Sequence, residues 1–132
     1  MPLSWCISHP SHSIRVVGRG RVSLVELLRL LESIDAADAS SYRKIIDISR
    51  LARGVPKEVV KEVASLVRQR EITRSVGPIA IVTGSASTHR QATWFAKQAQ
   101  GERLIRIFPD QHEAYKWLDS FHAFEGESRL AS

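Results

Sequence analysis

The chain has one cysteine, Cys6, in 132 residues. Without a second thiol there is no internal disulfide, and no cysteine zinc cluster can form. Long apolar runs are also missing. The best, residues 24–31, is broken by Glu26 and Arg29, which excludes a spanning helix there. The opening Met-Pro-Leu-Ser-Trp-Cys lacks the basic start and extended apolar core of a secretory signal. These absences make a bacterial-type, cytoplasmic protein the expectation. Charge of one sign is nowhere concentrated. Nineteen bases and 14 acids leave a net +5, but no block of five like charges occurs. A nucleic-acid tail is thereby excluded, and no recognition-helix motif replaces it. The positive balance favours polyanions, acidic protein faces or phosphorylated ligands, and the scatter of the basic residues ranks DNA low among them.

What remains is ordinary globular composition, 43% hydrophobic and 25% charged, in a chain long enough for one self-sufficient core. The expectation is a single domain over 1–122 and a flexible polar tail over 123–132. Strand and helix signals alternate along it. Ser4–Ser8 and His12–Val17 read as extended runs around the turn His9-Pro10-Ser11, hence a hairpin ended by Gly18-Arg19-Gly20. Ser23 and Glu26 form a capping box ahead of Leu24, Leu27, Leu28, Leu31 and Ile34 at helical spacing. Lys44–Ile48 is the next strand. Pro56 opens a helix whose stripe is Val59, Val60, Val63, Leu66 and Val67. Ile79–Thr83 is a continuous apolar run suited to a strand covered on both faces. A helix with Ala92, Phe95, Ala96 and Ala99 inward follows, then the strand Leu104–Phe108. Asp110 and Glu113 begin a last helix, with Ala114, Trp117, Leu118 and Phe121 inward. The order predicts an α/β fold, a mixed five-stranded sheet of one N-terminal hairpin strand plus four parallel strands, with about four helices.

Three stretches carry a family resemblance: Ile45-Ile46-Asp47-Ile48-Ser49, Ile79-Ala80-Ile81-Val82, and Phe108-Pro109-Asp110 leading to Glu113-Ala114-Tyr115-Lys116-Trp117-Leu118. Together with the element order over Leu3 to Phe121, they resemble the STAS-like family. It includes the anti-anti-sigma factors and shares its fold with lipid-carrying SEC14-type domains. The resemblance implies that fold and a regulatory, partner-docking role. It departs at one place. Where regulatory members carry a phosphorylatable serine, this chain has Gly54-Val55-Pro56-Lys57, without a hydroxyl.

The candidate ligand-binding residues lie at the expected carboxyl ends of the strands. Gly84-Ser85-Ala86-Ser87-Thr88-His89-Arg90 leads from a central strand into a helix. Its amides, the hydroxyls of Ser85, Ser87 and Thr88, and the Arg90 cation suit an anion, with Ser87 alternatively a simple cap. Asp47, Ser49 and Arg50 end the neighbouring strand, where Asp47 binds a ligand or caps the next loop. Trp94 falls beside the buried stripe of its helix, as an interface anchor or packed over a sheet edge. Gly18-Arg19-Gly20-Arg21 lacks the third glycine and the acidic residue of a dinucleotide fingerprint. The histidines show no close pairing for metal, and Cys6 reads as a small packed residue. No metal and no cofactor are expected. No pair of groups is spaced for acid–base work, so a non-catalytic interaction or ligand-sensing module is expected, docking a protein partner or small anion. The alternative is a SEC14-like carrier or sensor with an apolar cavity between helices and sheet. The shortness of the chain counts against such a cavity. An enzyme using Asp47, Ser49 or His89 comes third. A homodimer through the edge of the first strand is a further expectation.

Overall fold

The computed structural model describes residues 2–99 and 104–131, with side chains through Phe121. It contains β1 (Leu3–Ser8), β2 (Ser13–Gly20), α1 (Leu24–Ala36), β3 (Arg43–Leu51), α2 (Lys57–Thr73), β4 (Ile79–Val82), α3 (Ala86–Ala99), β5 (Ile105–Phe108) and α4 (Gln111–Ala131). The tail expected over 123–132 lies beyond the last described side chain. None of the described helices is long and apolar enough to cross a membrane.

The five strands form one sheet in the order β1-β2-β3-β4-β5. Only β1 and β2 are antiparallel; each later pairing is parallel. Strands laid down in one direction, joined by right-handed crossovers, must carry all three connecting helices on the same face. The core agrees. Leu30 and Ile34 of α1 pack on Ile14 and Val16, while Ala92 of α3 packs on Ile79 and Ile81. α2 adds Val60, Ala64 and Val67 to that layer. The opposite face belongs to α4, whose Ala114 and Leu118 cover Ile45, Ala80 and Val82. Alternation along β3 follows: Ile45 faces α4, and Ile46 and Ile48 face the three-helix layer. Both faces of β4 are therefore covered, and all four of its residues are buried. Burial of Ile79, Ile81 and Val82 stabilises the fold by roughly 1.5–3 kcal/mol each.

The capping box at α1 is present in full. Glu26 N donates to Ser23 Oγ at 3.3 Å, and Ser23 N donates to Glu26 Oε1 at 3.3 Å. Three local expectations need correction. β2 does not stop at Gly18. It runs to Gly20 through a register shift between Val17 and Arg19, with Gly18 against the Leu51 side chain. A glycine pair reads locally as a break, but pairing with the long β3 carries the strand through. The α3 cap is Ser85 rather than Ser87, as the hydrogen bonds below establish. Cys6 is exposed rather than packed, because it shares the face of β1 that points away from α1.

Candidate functional site

Asp47 ends the buried part of β3 on the α4 side of the sheet. It is 5% exposed. Ser49 N donates to its Oδ1 at 2.9 Å, Ser49 Oγ donates to the same oxygen at 2.5 Å, and Gln111 Nε2 donates to Oδ2 at 2.5 Å. Burial pushes the carboxyl pKa up. The bonds from Ser49 and Gln111, helped by the nearby Arg50 charge, outweigh it and hold the group below its ordinary value of 3.8. Both oxygens are thus engaged, one locally and one by the start of α4. Asp47 ties β3 to the β5–α4 junction.

Ser85 and Thr88 satisfy each other. Thr88 N donates to Ser85 Oγ at 3.1 Å, and Thr88 Oγ1 accepts from Gly84 N at 3.2 Å and Ser85 N at 3.1 Å. This is a capping box with threonine in the position usually taken by Glu or Gln. The amides that an anion at this loop would need from Gly84, Ser85 and Thr88 are thereby spent within the cap. Gly84 is required by contact, since a Cβ there would lie 2.6 Å from Ser49 O. The structure therefore gathers the predicted residues into two self-bonded groups, Asp47–Ser49 and Ser85–Thr88, touching at Ser49 and Gly84. Ser87, Arg50 and Arg90 are exposed. Trp94 is half-buried, with Lys57 Nζ 5.4 Å from its ring centroid. The strand order has no reversal, so the crevice that a topological switch point opens at strand ends has no origin in this sheet.

The β3–α2 loop, residues 52–56, is held by Gln91 of α3. Its Oε1 accepts from Val55 N at 2.9 Å and its Nε2 donates to Val55 O at 2.5 Å. Gln91→Ala leaves both backbone groups of Val55 without that partner, at a cost of about 1–2 kcal/mol. Amide hydrogen exchange at Val55 is expected to rise roughly tenfold in the variant. Unchanged protection would mean that the loop is held by something other than Gln91.

On the other face of the sheet, under the three helices, lies a partly open apolar cavity of about 170 Å³. Its floor is Val16, Ile46, Ile48, Ile79 and Ile81; its roof is Leu27, Leu30, Leu31 and Ile34 of α1 with Val60, Val63 and Val67 of α2. α2 packs closely on α3 and lightly on α1, so the space opens along the α1–α2 seam. Polar groups close its two ends. At the amino ends of the strands, Arg70 grips Asp35 with Nη2 at 2.8 Å and Nε at 3.2 Å from Oδ2, tying α2 to α1. Beside it the buried Lys44 Nζ donates to Ser40 O at 2.6 Å and Tyr42 O at 2.8 Å. At the carboxyl ends stand Val55 and Gln91. An engineered cavity of roughly 150 Å³ with similar aliphatic and aromatic lining stays dry and takes benzene or xenon.

No family model matches the chain, and none of the curated proteins matches it in sequence. A solved structure does match in shape. It is an uncharacterised protein of the DUF3478 family from Shewanella loihica PV-4, described as having a SpoIIAA-like fold. The two agree with a TM-score of 0.62 at 14% identity, over 88% of this chain and 93% of that one. The chain has the SpoIIAA-like fold. The STAS-type architecture expected from the sequence is thus present at the level of fold. In this SpoIIAA-like sheet Asp47 lies on the α4 face, opposite the cavity, whereas Ser85 and Thr88 open α3, the helix that brings Gln91, Ala92 and Phe95 to the cavity lining. The cavity is the feature that the sequence reading set second, counting the shortness of the chain against it. Its signal was the valine-rich stripe of α2 facing leucines of α1, short branched side chains that leave a wide three-helix layer underfilled.

Proposed function

We propose that this chain is a non-catalytic binding module whose ligand is a small apolar molecule seated between α1, α2 and the sheet. The observation that carries this reading is the cavity itself, about 170 Å³ and lined by aliphatic side chains from seven elements. A void of that size forfeits packing contacts throughout its lining, and an apolar occupant restores them. The strand ends support the non-catalytic part. Asp47 is held ionised by its donors, which makes it a weak general base, and Ser49 is engaged with it rather than with an external base. Anion docking at the strand ends has fewer free groups than the sequence promised, because Ser85 and Thr88 bond each other.

Toluene serves as the probe. It is expected to raise the wild-type melting temperature by about 3 °C near saturation. Val63→Phe fills part of the cavity, stabilises the unliganded protein by roughly 1 kcal/mol, and removes the response to toluene. Equal responses of the two proteins, or none from the wild type, would contradict the reading.

A further inference from the structure

β1 is an edge strand of the sheet, and its outer side is paired with no other described strand. Arg19 N donates to Pro2 O at 2.7 Å, so Pro2 and Arg19 are a hydrogen-bonded pair of the β1–β2 ladder. Alternation then turns the backbone groups of Ser4, Cys6 and Ser8 toward β2 and those of Leu3, Trp5 and Ile7 toward the open edge. One outward group is already taken, for Leu3 N donates to Glu26 Oε2 at 3.0 Å. The other end of the strand stops at the turn containing His9 and Pro10. The strip left for pairing is Ser4–Ser8, centred on Cys6, and among the described residues no strand pairs with it.

That strip has none of the devices that blunt an edge: it carries no charge, no proline and no bulge. We propose that two copies pair antiparallel through it about a two-fold axis at Cys6, joining their sheets. In this register Trp5 and Ile7 of each copy exchange backbone hydrogen bonds with Ile7 and Trp5 of the other. On the helix-side face an aromatic side chain meets a β-branched one, a favoured cross-strand pairing. On the other face Cys6 meets its own counterpart, and Ser4 meets Ser8. Small residues stand against small residues. A chain of net charge +5 repels its own copy over most of its surface, and a neutral edge is where that repulsion is least.

Sedimentation equilibrium of the full chain, from about 1 µM to 1 mM, tests this in the range where a small interface titrates. A reversible monomer–dimer equilibrium is expected. Cys6→Lys places two ammonium groups on the axis and is expected to raise the dimer dissociation constant at least about tenfold. Because Cys6 is exposed, the variant keeps the wild-type circular dichroism spectrum and melting temperature. Cys6→Ser, neutral and small, keeps the wild-type dimer. A wild type that stays monomeric at the highest concentration overturns the proposal. So does a dimer that Cys6→Lys leaves unchanged, since it forms elsewhere.

Discussion

Gly77→Ala is expected to abolish the folded state at 37 °C. Gly77 is buried in the connection between α2 and β4, where the chain passes across the start of β3. A Cβ built on it would lie 2.2 Å from Tyr42 O and 2.5 Å from Ser41 O. Neither is a flexible side chain that can swing aside. Both are carbonyls of the segment that leads into β3, and that segment is fixed from several directions. Gly77 N donates to Ser40 O at 2.9 Å, Lys44 N donates to Pro78 O at 2.9 Å, and Lys44 Nζ holds the Ser40 and Tyr42 carbonyls. Relief of the clash requires the α2–β4 connection to move away from β3. That movement breaks these bonds and shifts Ile79, whose partner in β3 is Lys44. The loss is expected to exceed about 4 kcal/mol, a large part of the stability of a domain this size. Circular dichroism and thermal melting of the variant check it. A cooperative transition within about 5 °C of the wild type would mean that the contact is softer than its geometry indicates.

Asp47→Ala is expected to cost about 3 kcal/mol at neutral pH. It removes the acceptor of three donors, leaving Ser49 N, Ser49 Oγ and Gln111 Nε2 to find others in a part-buried place. It also unties β3 from α4, so exchange at the start of α4 should accelerate. Asp47→Asn separates charge from shape, and its pH dependence has a definite sign. The folded-state pKa of Asp47 lies below its ordinary value. The ionised carboxylate therefore contributes stability above the unfolded pKa, near 3.9, and that contribution is lost as pH falls through the lower folded-state value. The gap in unfolding free energy between wild type and Asp47→Asn should be full at neutral pH and close on acidification below about pH 4. Urea titrations across that range measure it. A gap that is constant with pH would mean that Asp47 acts through shape alone.

The architecture was legible because its determinants are local and periodic. The capping box at Ser23 and Glu26, the apolar run Ile79–Val82 and the stripe Ala114, Trp117, Leu118 each announce one element, and the handedness rule arranges them. Ser85 does follow the end of β4, but β3 runs on to Leu51, so Asp47, Ser49 and Arg50 lie within that strand and not at its end. Their engagement was not legible. Nothing in the spacing of Ser85 and Thr88 says whether two hydroxyls will cap each other or greet an anion. Nothing local links Asp47 to Gln111, 64 positions away. The buried cations Arg43 and Lys44 were likewise hidden. Arg43 Nη2 donates to Ser11 O at 2.7 Å in the turn between β1 and β2, and the two cations stand at the polar start of what reads as the next strand. The cavity is the clearest case. It is a deficit of volume among α1, α2 and the sheet, and a deficit belongs to the assembled layers rather than to any one segment.

Methyl-resolved NMR of the isoleucine- and valine-labelled protein, titrated with benzene, tests the central claim most directly. Saturable shifts are expected only at methyls that line the cavity, among them those of Val16, Ile34, Ile46, Val63, Val67 and Ile81, with no movement at Val59, which lies outside the lining. Shifts absent up to the solubility limit of benzene, or spread evenly over surface methyls, would contradict it.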